Sequence, residues 1–455
     1  MMNWKVFANI IRIAIAISCI ALCISIHLFA RNAPSFTPPL SRQQALVWPS
    51  DTVQSKLPFV VDSLCFVADP AHALDAFFAG LDSLSAGCDT VLTIVHLGDS
   101  HIQAGHYSGR SMRLLQQQYG NAGRGWIAPF KIGGSNEPDD YFISTLIKEW
   151  TTGRCIQRTQ RCPIGPGGIG IQTPAPFVNF DISIAPNNGA GYAFNQVIVY
   201  RGEKSMPMRA AGKLRDSAEV LAGGQLPALK MIADTIRLAG LTDSLQLQST
   251  RRQPGTDLLL PAESFDNLYY GFSLTNGAPG ILYHAIGVNG SMFVNYTDDH
   301  YVRQLAMLRP SLLIISLGTN ESFGRRFTTN EFSGQIEAFL SLAKKHMPHT
   351  AILFTTPPEC YKRVVIDKQR RYVRNENTER VARSIIRVAE KEGAAYWDLF
   401  AATGGRKSSE NWFNGKWMGR DRIHFNKEAY QEQGVLLFKA LMNLKKKNET
   451  AYEYE

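Results

Sequence analysis

Apolar residues in this chain gather in short continuous runs, and in its second half those runs alternate with segments of helical period. The first clear run, Thr90 to Leu97, is apolar almost throughout and is stopped by Gly98-Asp99-Ser100-His101. Such unbroken runs suit parallel strands covered on both faces. Helical periodicity follows over Tyr107 to Gln118, with Gly120 placed as a stop, and an earlier helix is expected over Ala71 to Leu84. Beyond Gly290 the pattern predicts strand Leu312 to Leu317, helix Glu331 to Lys345, strand Ala351 to Thr355, helix Asn375 to Glu392, strand Ala394 to Trp397 and helix Lys427 to Leu444. Repeated strand–helix units imply a parallel sheet with right-handed crossovers.

The middle of the chain has a different texture. Gly and Pro crowd the stretch from about Phe130 to Gly168, and short alternating runs then appear at Val178 to Ile184, Gln196 to Tyr200, Thr235 to Leu238, Leu245 to Gln248 and Leu268 to Leu274. Turn residues separate them, the signature of an all-β module. The α/β pattern resumes at Gly280-Ile281-Leu282-Tyr283-His284. The expected order is therefore an N-terminal segment (1–31), a linker and entry segment (32–89), a first α/β part (90–129), a β-rich insertion (130–280), a second α/β part (281–445) and a polar tail (446–455).

Composition changes the picture mainly at the N-terminus. Lys5 and Arg12 precede Ile13 to Ala30, a stretch without Asp, Glu, Lys or Arg. That is close to the minimum for a membrane span, and the leading positive charge predicts export of the body. Leu28-Phe29-Ala30 also reads as a cleavage site, so anchor and signal peptide both stay open. Of the seven cysteines, Cys19 and Cys23 lie in this segment; outside the cytoplasm Cys155 with Cys162, and Cys65 with Cys88, are candidate disulfides that would leave Cys360 free. The formal charge of +9 is spread thinly, with one dense cluster at Lys445-Lys446-Lys447 that a solvated helix end explains. No basic stripe or binding motif supports a nucleic-acid role.

Chemistry concentrates at three places. Ser100 follows the first strand in Gly98-Asp99-Ser100-His101, Ser316-Leu317-Gly318-Thr319-Asn320-Glu321 follows a later apolar run, and Asp421-Arg422-Ile423-His424 lies near the C-terminus. A serine exposed at a strand end, with a histidine base and an orienting carboxylate, is the arrangement for acyl transfer through a covalent intermediate. Serine, glycine, asparagine and an Asp-x-x-His pair in this order resemble the SGNH (GDSL-type) hydrolases. The resemblance implies an α/β, flavodoxin-like parallel sheet flanked by helices, with Ser100 as nucleophile, His424 as general base and Asp421 as its orienter. It implies an oxyanion hole built from the Ser100 N–H, the Asn320 side chain and the N–H of a second glycine, best matched by Gly290, with Gly287 as the alternative. No metal or cofactor is implied.

The remaining residues keep two readings each. Asp99 is expected to bond the backbone of the nucleophile turn. His101 replaces the leucine of the common Gly-Asp-Ser-Leu form, as in the peptidoglycan O-acetylesterase branch, or is a packing residue. Glu321 lines the pocket or pairs with Arg325 or Arg326. Trp126, Trp412 and Trp417 form a sugar-stacking wall or are buried. His96, His101 and His106 are spaced by five, which does not place them on one helical face for a metal.

Export, Gly-Asp-Ser-His and a β-rich insertion between the serine and the second glycine resemble the layout of bacterial peptidoglycan O-acetylesterases, in which the insertion is similar to a carbohydrate-binding module. The expectation is a serine esterase removing O-acetyl groups from a cell-envelope polysaccharide. Its expected partners are that O-acetylated polymer and the membrane, through the N-terminal segment. Its expected location is the bacterial periplasm, anchored to the inner membrane or secreted after cleavage. An O-acetyltransferase using the same acyl-enzyme, and an inactive glycan-binding envelope protein, are the competing readings.

Overall fold

The computed structural model describes residues 60–185, 191–251 and 266–452. The expected anchor or signal segment and most of the linker lie outside the described residues, as do Cys19 and Cys23. Among the described residues no helix is long and apolar enough to cross a membrane.

Five parallel strands form the central sheet: β1 (Val91–Gly98), β2 (Gly280–Gly287), β3 (Leu312–Ser316), β4 (Ala351–Thr355) and β5 (Ala395–Trp397). They lie side by side in the order β2-β1-β3-β4-β5, every neighbouring pair parallel. This is a flavodoxin-like order, in which the chain runs from β1 to one side and then crosses to the other. Ligands bind at the carboxyl ends of the two strands flanking that reversal, here β1 and β3.

Both faces of the sheet are covered, which is why its strands are apolar throughout. Ile94, Leu312, Ile314 and Leu353 turn to one face and join a core with helices His106–Tyr119 and Lys427–Tyr452. Val95, Leu97, Leu313, Ile315 and Phe354 turn to the other, against helices Thr329–His346 and Asn377–Glu392. Gly434 lets the first two helices touch, since a Cβ there would lie 2.6 Å from the Tyr107 carbonyl oxygen.

Between β1 and β2 the chain builds two antiparallel sheets. Thr151–Arg154, Ile169–Thr173, Asn267–Thr275, Phe194–Gly202, Met231–Thr242 and Ala218–Leu226 lie in one, with Gly125–Ile127 also paired to Asn267–Thr275. Tyr141–Ser144, Asn179–Ile184, Ser244–Ser249 and Met208–Ala210 form the other. Their apolar faces merge with the cores of the parallel sheet: Trp126, Tyr200 and Met231 belong to the same cluster as Val95 and Leu97.

Several expectations are corrected. The helix expected from Ala71 starts at Asp75, because His72 adopts φ +56° and the Asp69 carboxylate accepts from the Ala73 and Leu74 N–H groups. The last helix runs beyond Leu444 to Tyr452, and Lys445 in it is buried, paired with Asp82 and Glu449 rather than solvated. Neither expected disulfide is made: Cys65, Cys88, Cys155, Cys162 and Cys360 are all free thiols. The Cys162 sulfur instead faces the Thr151 and Gly170 carbonyls at 3.6 and 3.4 Å. An antiparallel hairpin, Tyr361–Ile366 with Gln369–Arg374, has no counterpart in the sequence reading.

Candidate active site

The reversal point of the sheet gathers the chemistry. β1 ends in Gly98, where a Cβ would fall 2.3 Å from the Ile102 side chain, so only glycine lets the chain turn this sharply. Asp99 caps the short helix Ser100–Gln103, its Oδ1 accepting from the His101 N–H at 2.9 Å. That cap sets Ser100 on the first helical position beyond the strand end.

From the other end of the chain a tight turn presents His424. A bridge between Met418 and Phe425 and a 2.7 Å bond from the Gly419 N–H to the His424 carbonyl close the turn, with Arg422 at φ +58°. Asp421 Oδ1 accepts from the Ile423 and His424 N–H groups at 3.0 and 3.1 Å, which leaves Oδ2 aimed at His424 Nδ1, 2.7 Å away. His424 Nε2 lies 2.8 Å from Ser100 Oγ. With Nδ1–H given to the carboxylate, Nε2 is the free acceptor for the serine proton.

Electrostatics follow from these bonds. The hydrogen bond that His424 gives to Asp421, and the charge of that carboxylate, raise the His424 pKa above the ordinary 6.5 although burial opposes this. For Asp421, burial works against the charged form, but the His424 ring and the two backbone N–H donors outweigh it and hold the carboxyl well below its usual range. His101 sits beside His424, ring centroids 5.3 Å apart, with Nδ1 bonded to the Tyr430 hydroxyl at 2.8 Å. Burial pushes its pKa down to about 3, so it is a neutral neighbour.

The loop after β2 packs against the nucleophile turn. A Cβ on Gly287 would lie 2.3 Å from the Gln103 nitrogen and 2.6 Å from the Asp99 carbonyl, so glycine is needed for this approach. The Asn289 N–H donates to Gln103 Oε1 at 2.7 Å, and the Ser291 and Tyr296 hydroxyls donate to the Gly98 carbonyl at 3.0 and 2.9 Å. Gly290 adopts φ +82° with open space where a side chain would be. After β3, Asn320 Nδ2 donates to Asp99 Oδ2 at 3.1 Å and to the Ser291 carbonyl at 3.0 Å. The fold thus brings Ser100, His424, Asp421, Asn320 and the 287–290 loop to one edge.

Residues 254–432 match the model of the GDSL-like Lipase/Acylhydrolase family. Over that span the chain is similar to this family, which supports an ester-hydrolysing enzyme. The matched span holds Asn320, Asp421, His424 and both glycines but begins after Ser100, so the serine is singled out by its hydrogen bond to His424. A solved structure described as a peptidoglycan O-acetylesterase in action aligns with 84% of this chain and 99% of its own, at 20% identity and a TM-score of 0.67, which shows a shared fold. GDSL-like lipases from Parabacteroides merdae and Bacteroides thetaiotaomicron align over 36% and 35% of this chain, and 72% and 76% of their own. Their identities are 16% and 17%, with TM-scores of 0.29 and 0.28. No curated protein matches.

Other residues of the acylhydrolase site depart from expectation. Glu321 does not pair with Arg325 or Arg326: it is buried, its Oε1 accepts from the Phe293 N–H at 2.8 Å, and Oε2 has no partner among the described residues. Burial pushes Glu321 up to about 7, with the Asp99 charge adding to this, and burial pushes Asp99 up to about 7 as well. Trp126 and Trp412 are buried and can form no sugar-stacking wall. Two participants had no sequence signal. Gln103 fastens the second loop and also bonds Ser135 and Asn136, and Tyr430 anchors His101; both are ordinary residues whose partners lie far away in the chain.

Proposed function

We propose that this esterase removes O-acetyl groups from a cell-envelope polysaccharide, with peptidoglycan as the polymer. The observation that carries the reading is the line from Asp421 through His424 to Ser100 Oγ at the carboxyl edge of β1 and β3. Ser100 Oγ attacks the acetyl carbonyl while His424 Nε2 takes its proton. The tetrahedral intermediate collapses, the sugar oxygen leaves with the proton from His424, and acetyl-Ser100 remains. His424 then deprotonates a water that attacks the acetyl-serine, releasing acetate and returning the proton to Ser100.

The developing oxyanion is met by the N–H groups of Ser100 and Gly290 and by Asn320. Gly290 suits this role better than Gly287, whose Cα is pressed under the nucleophile turn. Asn320 already donates to Asp99 and Ser291, so it is held in place before substrate arrives and shares one of these N–H groups with the oxyanion. The side chains of His424 and Asp421 are 43% and 48% exposed, which lets water reach the acyl-enzyme and favours hydrolysis over acetyl transfer. The fold shared with a peptidoglycan O-acetylesterase structure supports the choice of polymer. In this reading residues 130–280 hold the glycan near Ser100. The apolar segment from Ile13 to Ala30 delivers the enzyme to the periplasm, as a membrane anchor or a cleaved signal.

The test is turnover of p-nitrophenyl acetate by wild type, Ser100→Ala and His424→Ala, followed by acetate release from O-acetylated peptidoglycan. Both variants should lose at least about 10³-fold in kcat. Unchanged turnover in either variant, or no acetate from the polymer, refutes the corresponding part.

A further inference from the structure

The hairpin Tyr361–Ile366/Gln369–Arg374 carries six Lys or Arg residues and a single carboxylate, Asp367. Arg374 is spent on Glu359 and Glu376. Lys362, Arg363, Lys368, Arg370 and Arg371 have no ion-pair partner among the described residues, and all but Lys362 are exposed. Like charges held this close repel one another, so the bare hairpin is electrostatically unfavourable and an anionic partner would relieve it. The turn adds to the cost: Asp367 and Lys368 both have positive φ, +50° and +59°, in a two-residue loop where glycine is favoured. A lysine stands at the tip despite that strain.

The hairpin is wired to the catalytic turn. At its root the Tyr361 N–H donates to the Arg422 carbonyl at 3.0 Å, two residues before His424. The Arg422 guanidinium lies over the rings of Phe413, Tyr372 and Tyr361, at 3.8, 4.9 and 5.0 Å from their centroids. Register places Arg363 opposite Tyr372 and Val365 opposite Arg370, so Arg363 and Arg370 share the face that carries Tyr361 and Tyr372. One face of the hairpin therefore continues the surface of the Asp421–His424 turn as a row of cations: Arg422, Arg363, Arg370 and, at the tip, Lys368.

We propose that this face docks the carboxylates of the polymer substrate, those of peptide chains borne by an acetylated glycan, and so delivers the ester to Ser100. The inference rests on the esterase reading for its substrate, but its binding step can be measured without turnover.

The experiment compares wild type with the combined variant Arg363→Gln, Lys368→Gln, Arg370→Gln, with Arg371→Gln on the opposite face as a control expected to bind like wild type, and with the charge-conserving Arg363→Lys, Arg370→Lys. Co-sedimentation with insoluble O-acetylated peptidoglycan is measured at low and high ionic strength, before and after amidation of the polymer's carboxyl groups. Wild type and the lysine variant should sediment at low salt and be released by high salt or amidation. The triple glutamine variant should bind at least about threefold more weakly, because it removes three exposed cations from that face. Its turnover of a small neutral acetyl ester should stay within about twofold, and its melting curve should match wild type. Equal sedimentation of wild type and triple glutamine variant, or binding untouched by amidation, overturns the proposal. So does a charge-dependent affinity for phosphatidylglycerol vesicles without affinity for the polymer, which would assign the hairpin to a lipid surface. Absence of all esterase activity would defeat the proposed function, while sedimentation still decides the hairpin.

Discussion

The two halves of the candidate active site are held in contrasting ways. The nucleophile half, from Gly98 to Gln103 with the loop after β2, is buried under close backbone contacts and tied by the Asp99, Asn289, Ser291, Tyr296 and Asn320 hydrogen bonds. The base half is a solvent-facing turn with a left-handed Arg422, closed by one bridge and buttressed by the hairpin and by helix Lys427–Tyr452. The difference matches the chemistry each half would perform. An oxyanion site must be fixed before charge develops, because reorganisation would cost what preorganised donors contribute. A base must take a proton from the attacking water in the second half of each turnover, and an exposed imidazole is open to that water.

The largest effect should come from loosening the base half. Asp421→Asn removes the carboxylate that orients His424 and is expected to lower kcat on the order of 10³–10⁴-fold with little change in melting temperature. It also tests the pH dependence. The base works only when neutral, and Asp421 raises the His424 pKa, so wild-type kcat/KM should climb with pH through a midpoint above 6.5. In Asp421→Asn the residual activity should show that limb moved to lower pH. A limb left in place would mean another group sets the profile.

The contrast also explains what could be read from the sequence. β1, β3 and the motifs that follow them were legible because strands buried on both faces must be continuously apolar, and the abrupt stop at Gly98 or Gly318 marks where the chain turns. The Asp421–His424 pair was legible through the resemblance of Asp421-Arg422-Ile423-His424 to the Asp-x-x-His of the SGNH hydrolases. Glu321 was misread because a carboxylate beside two arginines is ordinarily exposed, and only the distant Phe293 N–H and the surrounding fold bury it. The hairpin at 361–374 was not seen because charged residues interrupt its alternation and its pairing is closed by a turn without glycine. Strands such as Thr151–Arg154 and Tyr141–Ser144 are short and are fixed by pairing to Ile169–Thr173 and Asn179–Ile184, so no local pattern marks them.

Two glycines sharpen the comparison further. Gly287→Ala forces a Cβ to 2.3 Å from the Gln103 backbone nitrogen and 2.6 Å from the Asp99 carbonyl oxygen, against the backbone of the nucleophile turn. It should cost about 2–3 kcal/mol of stability by overpacking, read as a clear drop in melting temperature. Gly290→Ala meets no neighbour and carries only the strain of φ +82°, about 1 kcal/mol. It should melt closer to wild type yet lose more of its kcat per unit of stability lost if its N–H meets the oxyanion as proposed. The opposite ranking in melting temperature would show that the nucleophile turn is not close-packed on β2, and a fully active Gly290→Ala would remove that glycine from the oxyanion site.

The last effect, visible only as a pH dependence of stability, belongs to the buried carboxyl behind Asn320. Glu321 has a folded-state pKa pushed up to about 7 by burial, against an ordinary 4.5. Between these values the folded protein binds more protons than the unfolded chain, so stability falls as pH rises through that window. The shift corresponds to a loss on the order of 3 kcal/mol by pH 8, in a group with little solvent to screen it. Glu321→Gln keeps an oxygen for the Phe293 N–H and carries no charge. It should therefore melt close to wild type at pH 5 and higher than wild type at pH 8. Equal pH dependence in the two proteins would mean that the unpartnered Oε2 is solvated and that the nucleophile half is less dry than its packing indicates.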